Sequence, residues 1–258
     1  MYDPIHDGMQ STAEAVCYAD ARPPEHLSSL VHCYWELKTV YPLAADFQLH
    51  ALPDACVNLL FNLLDTRIAG VTALHTRFEL LNLGKAFHYA GVQLFPGVWR
   101  GDPQELSDRF VGTPYGGPLP LVSVNHRLAG LDFQAQQAVM TTLVEELQAG
   151  GLVVANPVTE SILRQLDSIR TVADMAAAAG LSPRQLQRVI RQTTGFAPHD
   201  LLKVLRLQGS FRRHYLDLYA DQSHYIHSFR KVAGYTPTRY AQRYGAAGTM
   251  SDLHNTKT

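Results

Sequence analysis

The side chains best suited to do chemistry cluster in TVADMAAAAGLSPRQLQRVIRQTTG, residues 171–195. Arg184, Gln187, Arg188 and Arg191 recur there on one helical face. That mixture suits double-stranded DNA, because arginine pairs bidentately with guanine and glutamine with adenine in the major groove. The competing reading is an ordinary pair of helices with a solvated basic face. Elsewhere the reactive residue types are scattered. His26, His32, His50, His75 and His88 fall in a strand-like region, with no pair at metal-ligand spacing. Cys56 shares a turn-strand segment with Asp54 and Asn58, but no base or oxyanion partner is evident for it. The sequence therefore predicts no catalytic residue, no metal site, no cofactor and no enzyme.

Two short elements position the basic face. Val172–Ala179 reads as an alanine-rich helix closed by Gly180, which tolerates the left-handed conformation of a sharp turn. Ser182 follows as N-cap, with Pro183 at the first helical position and Gln185 at the third, a capping box. Leu186, Val189 and Ile190 then fall at helical spacing and face inward. Ala176 lies where the helices come closest and must stay small. Two helices about a glycine turn, the second basic outside, make a helix-turn-helix.

The charge distribution agrees. The 258 residues carry a formal net charge of −1, which by itself is unpromising for nucleic acid. Residues 1–156, however, hold eight Lys/Arg against sixteen Asp/Glu, whereas residues 157–245 hold thirteen against six. An acidic half joined to a basic half predicts a DNA-binding domain with a separate sensor or partner domain. No targeting segment or membrane-spanning run is visible, and three widely spaced cysteines suit a reducing cytoplasm.

Residues 1–21 carry little pattern and read as an arm. From Arg22 the chain is β-rich, with strands expected at Val31–Lys38, Phe47–Leu52, Val57–Leu63, Arg77–Leu83 and Phe87–Phe95. Short strands punctuated by Gly and Pro predict a small antiparallel barrel or sandwich. Trp35, Phe61 and Phe95 are candidate walls of a ligand cavity in it, although such aromatics are more often plain core. Pro103–Phe110 reads as a short helix, and Gln134–Gln148 as a longer one that packs on the barrel or against a second subunit. The expected fold is α+β in two domains. An N-terminal barrel or sandwich with flanking helices spans 22–149, a linker 150–157, and an all-α helix-turn-helix domain 158–245, before a disordered tail at 246–258.

The basic half also repeats itself. RQTTGFAPHDLLK (191–203) lies over RKVAGYTPTRYAQ (230–242) at an offset of 39, placing Gly234 on Gly195, Pro237 on Pro198 and Asp221 on Ser182. In the second copy Tyr215 and Tyr219 stand where Ala176 and Gly180 stand in the first.

With these motifs in order, A-x3-G-L-S-P-x2-L-x-R, the RLQ of the connecting helix, DQSHYIHSFRK and GYTPTRY, segment 171–244 resembles the DNA-binding domain of the AraC family of bacterial transcription regulators. The N-terminal half, through HCYWELK, LPDACVNLLFN, GVQLFPGVWRG and QELSDRF, resembles an uncharacterised domain often fused to such regulators. The resemblance implies two helix-turn-helix units joined by a long helix, each offering a recognition helix to adjacent major grooves. It implies that Arg184, Gln187 and Arg188 read bases and that Arg191 meets phosphate. Gln185 of the same helix counts with them among the expected DNA-binding residues, as do Gln222, Ser223, His224 and His227, which occupy the corresponding face of the second unit. The chain is shorter than the family ahead of that second unit, which predicts a supporting helix shortened or gone.

The resulting expectation is a cytoplasmic, sequence-specific transcription regulator, of the activator type in such families, that senses a ligand through its N-terminal domain. Its expected partners are double-stranded DNA, a small-molecule effector, a second copy of itself and RNA polymerase, with no membrane. The alternative is a protein-interaction module derived from such a regulator.

Overall fold

The computed structural model describes residues 15–107, 112–211 and 214–244. It has a β-rich N-terminal part and a helical C-terminal part. The sheet is not closed into a barrel. Six strands run in the order β1-β2-β7-β4-β5-β8: β1 (Val16–Ala21), β2 (Val31–Thr39), β7 (His88–Leu94), β4 (Val57–Asn62), β5 (Ala69–Thr72) and β8 (Leu106–Ser107). Every pairing in it is antiparallel except β5 with β8. A separate antiparallel ribbon pairs β3 (Phe47–Ala51) with β6 (Glu79–Gly84).

Side-chain alternation explains the layering. Tyr34, Leu59, Phe61, Val92 and Leu94 all turn to one face of the large sheet. There they meet α1 (Leu121–Leu128) and α2 (Phe133–Ala149) through Leu121, Val124, Leu128, Met140, Leu143, Val144 and Leu147. Their neighbours Leu37, Leu60 and Tyr89 turn to the other face and meet Phe47, Leu83 and Phe87 of the ribbon side. The sheet is thus covered by helices on one side and by the ribbon on the other. Because α2 sets its apolar face on the sheet, that face is not free for a second subunit.

Several expectations need correcting. Within 1–21, Val16–Ala21 is not an arm: it pairs with β2 from Val16↔Thr39 to Ala21↔Tyr34. Residues 1–14 and the tail expected at 246–258 lie outside the described residues. Over its described residues, 103–107, the helix expected at Pro103–Phe110 does not form. Asp102 caps a single 3-10 turn, Pro103–Glu105, and Leu106–Ser107 then joins β5 as a strand, while 108–111 lie outside the described residues. The β5 strand and α1 have no counterpart among the expected elements. Ala69–Thr72 is short and small, and α1 begins directly after a Gly/Pro-rich loop.

The helical part follows: α3 (Pro157–Arg164), α4 (Val172–Ala178), α5 (Pro183–Thr194), α6 (Pro198–Ser210), α7 (Gln222–Ala233) and α8 (Pro237–Tyr244). The linker expected at 150–157 is tied to the segment that follows β7 by Arg100 N–H donating to the Leu152 carbonyl at 2.8 Å and by an isolated bridge between Trp99 and Val153.

Candidate nucleic-acid interface

The first unit is built as local chemistry dictates. Thr171 and Asp174 form one capping box, and Ser182 and Gln185 form another at the start of α5. Gly180, at φ +65°, makes the turn between α4 and α5. Leu186 and Ile190 are fully buried against Met175, Ala176, Leu201 and Leu205, while Val189 is only half-buried. With that stripe inward, Arg184, Gln187, Arg188 and Arg191 all stand exposed on α5. Among the described residues none of these three arginines is held in an ion pair. Gln185 is exposed too, but its Oε1 accepts from the Ser182 N–H at 2.9 Å and from the Ser182 hydroxyl at 2.8 Å. Its side chain is therefore committed to the cap.

The second unit repeats this frame at the same offset. Helix α5 has twelve residues and so has α7. Asp221 caps α7 by accepting the His224 N–H at 2.7 Å, as Ser182 caps α5. Both helices end on a left-handed glycine, Gly195 at φ +74° and Gly234 at φ +77°. Tyr225 and Phe229 take the buried positions of Leu186 and Ile190. Gln222, Ser223, His224 and His227 stand exposed on α7, and His224 sets its ring edge-on to Tyr219 at 5.6 Å. Arg230 and Lys231 are exposed on the same helix. Sequence reasoning passed over both, although the offset of 39 places Arg230 on Arg191.

The units differ in what fills the space ahead of the recognition helix. In the first it is α4. In the second only a 3-10 turn, Tyr215–Asp217, stands there, and 212–213 lie outside the described residues. Large aromatics fill the gap instead: Phe211, Tyr219, Tyr225, Phe229 and Tyr240 form one buried cluster with Leu207 and Leu218. Phe211 meets Tyr240 at 5.8 Å, and Tyr219 meets Tyr225 at 5.1 Å. The ribbon closes the cluster from the N-terminal part. Buried His50 stacks on Phe78 at 4.6 Å and touches the rings of Tyr235, Tyr240 and Tyr244.

Not every cation in this half faces outward. Arg206 donates to the Arg170 carbonyl and lies over the Tyr219 ring, and burial lowers its pKa. Lys203 pairs with Asp200 at 3.2 Å and Arg164 with Glu160 at 2.5 Å.

The three candidate cavity walls separate. Trp35 lines a cavity of about 190 Å³ between the large sheet and the ribbon. Phe61 is fully buried on the opposite face, in the helix-covered core, because it sits one residue out of phase with the cavity-facing Leu60. Phe95 lines another cavity, between the sheet and α3 and α6, and meets His32 edge-on at 5.3 Å. Burial pushes the Cys33 thiol up to about 12 and the Cys56 thiol well above its ordinary value, so neither is poised as a nucleophile. Among the described residues no group of three or more His, Cys, Asp or Glu is placed to hold a metal ion. Nor is any described helix long and apolar enough to cross a membrane.

Residues 19–101 match the family model described as Domain of unknown function (DUF6597). No curated protein matches the chain. Among solved structures, that of apo ToxT K231A from Vibrio cholerae strain SCE256 aligns over 92% of this chain and 99% of its own. The identity is 11% and the TM-score 0.39.

Proposed function

We propose that the chain is a sequence-specific, double-stranded-DNA-binding transcription regulator. What carries this reading is the pairing of α5 with α7: two equally long helices at a fixed offset, each side-chain-capped, each ended by a left-handed glycine, and each turning polar and basic residues outward. Phosphate contacts from the basic half supply affinity and steer association, while base-edge contacts supply sequence preference. Arg184, Gln187 and Arg188 read bases from α5, with Arg191 on phosphate. On α7 the same offset sets Ser223 on Arg184 and His227 on Arg188, while His224 falls on Gln185 and Gln222 on Pro183 at the start of the helix. Gln185 serves the fold of α5 rather than the reading of DNA.

In this reading 158–245 is the DNA-binding domain and 22–149 a sensor domain, working in the cytoplasm. An effector in the sensor domain shifts the population of DNA-competent arrangements. Pairing of two copies and contact with RNA polymerase complete the proposal. The test is selection of bound sequences from random DNA with the whole protein at moderate salt. Two half-elements about one helical turn apart are expected, since that is the spacing of successive major-groove faces. Absence of any enriched sequence, with and without effector, overturns the reading and favours a protein-interaction module.

A further inference from the structure

The cavity between the large sheet and the ribbon has an unusual electrostatic lining. Its walls are apolar and aromatic, with Leu60, Leu81, Tyr89 and the Trp35 indole among them. Gly91 pairs with Trp35 across β2 and β7, and a Cβ on it would lie 2.5 Å from the indole ring. The glycine is what lets that ring lie against the sheet.

One end of the cavity is polar, and its hydrogen bonds run in one direction. The Trp35 indole donates to Asn58 Oδ1 at 3.2 Å, and the Cys33 thiol donates to Gln93 Oε1. Gln93 Nε2 in turn donates to Asp54 Oδ2 at 2.5 Å, and the Cys56 N–H donates to Asp54 Oδ1 at 2.9 Å. The Asn58 side chain also hydrogen-bonds Asp54. Asp54 is thus the acceptor on which the network converges. Every group bonded to it is neutral. Burial raises its pKa, the mark of a carboxylate enclosed without a counter-charge.

No lysine or arginine lines this cavity; its carboxylates are Asp54 and Glu79, and the His75 ring lies 3.5 Å from Glu79. An anionic ligand would be buried there against two carboxylates with no cation to receive it. A cationic one would supply the missing partner of Asp54 and set its charge beside aromatic faces, where cations are attracted by the ring quadrupole.

We propose that this cavity binds a small lipophilic amine, its apolar body between the ribbon and the sheet and its ammonium on Asp54. The proposal deepens the sensor reading above by naming the class of effector. It is tested on the whole protein without DNA, so its failure leaves the DNA-binding reading standing. The amine is bound, not transformed.

The test is calorimetric titration with two matched sets of probes: 2-phenylethylamine, 2-phenylethanol and 3-phenylpropionate, then octylamine, octanol and octanoate. The amine is expected to bind tightest and the carboxylate weakest in at least one set. Asp54→Asn is expected to weaken amine binding by about tenfold or more, as loss of a charge-assisted hydrogen bond does, and to leave alcohol binding within about twofold. Leu60→Trp, which fills the cavity, is expected to abolish both, and it keeps the site assignment testable if Asp54→Asn folds poorly. Carboxylates binding as tightly as amines overturn the proposal. So does amine binding that survives Leu60→Trp, or the absence of binding by all six probes.

Discussion

Phe78 donates its backbone N–H to the carbonyl of Val232 at 2.8 Å, joining the edge of the N-terminal ribbon to the last turn of α7. The final carbonyls of a helix have no partner within the helix. Here the ribbon supplies one, and the buried His50 ring packs beside it on Phe78, Tyr240 and Tyr244. Gly234 follows at φ +77°, where a Cβ would lie 2.3 Å from the Phe78 ring. The ribbon therefore braces the C-terminal end of α7, whereas the matching end of α5 has open space beside Gly195, and the same ribbon forms one wall of the cavity.

From this contact it follows that the second unit depends on the N-terminal part. Phe78→Ala should cost of the order of 2 kcal/mol, since it removes an aromatic ring packed against buried neighbours. Gly234→Ala should be worse tolerated than Gly180→Ala, because Gly180 has open space where its Cβ would be, and both need the left-handed backbone. In sequence selection Phe78→Ala should lose the half-element read by α7 and keep the one read by α5. Melting curves and selection on the same preparation check both outcomes. Unchanged recognition of both half-elements would remove the ribbon from any role in DNA reading.

Within α5 the exposed arginines should divide by role. Arg188→Ala should relax preference at one or two base pairs, a loss of about 1–3 kcal/mol on the preferred site and little on random DNA. Arg191→Ala should weaken every sequence alike and reduce the salt slope by about one. Binding titrations on selected and scrambled duplexes at several salt concentrations separate the two. Equal loss on both duplexes from Arg188→Ala would reassign it to phosphate.

How far the sequence revealed all this depends on how local the determining chemistry is. The caps at Ser182 and Asp221 and the turns at Gly180, Gly195 and Gly234 are local decisions. Read from neighbouring residues, they locate α5 and α7 to the residue. Of the five expected strands, Val31–Lys38 and Phe47–Leu52 follow from alternation, and the others from apolar stretches bounded by turns. What stayed hidden is non-local. β1 gains its strand character by pairing with β2, and its own pattern is weak. Trp35 and Phe61 looked alike as aromatic wall residues, yet strand phase sends them to opposite faces of one sheet. Asp54 looked like an ordinary turn residue beside Pro53. Only the approach of Gln93 and Asn58 from neighbouring positions in the sheet makes it the focus of a network. The support of the second unit by His50 and Phe78 joins segments far apart in the chain, which no local pattern reports.

The 39-residue offset adds a prediction that residue type alone does not suggest. Arg230 occupies on α7 the position of Arg191 on α5, in the last turn and exposed. Arg230→Ala should behave as Arg191→Ala does, lowering affinity on all sequences with a salt slope reduced by about one. The double variant should lose about two from the slope if both units sit on DNA together. A slope changed by Arg191→Ala alone would mean that α7 stands clear of the phosphate backbone.

His50 makes the joint between the two parts sensitive to acid. Burial pushes its imidazole down from 6.5 to about 4, and the nearby Arg243 guanidinium pushes the same way, against the opposing pull of the neighbouring Ala233 backbone. Phe78, Tyr235, Tyr240 and Tyr244 surround the ring and supply no anion. Between pH 4 and 6.5 the unfolded chain thus binds the proton that the folded chain excludes, so stability from this site rises with pH across that window. It is fully present above 6.5 and lost as pH falls through about 4. Asp54, whose pKa burial raises, works in the opposite sense, so the total slope mixes the two. Subtracting the curve of His50→Phe isolates the histidine, because that variant keeps an aromatic ring against Phe78 and removes the proton site. Denaturant unfolding at half-unit pH steps should show wild type losing stability faster than His50→Phe below pH 6.5, with parallel curves above it. Parallel curves throughout would mean that the ring is reached by water and leaves the joint indifferent to its charge.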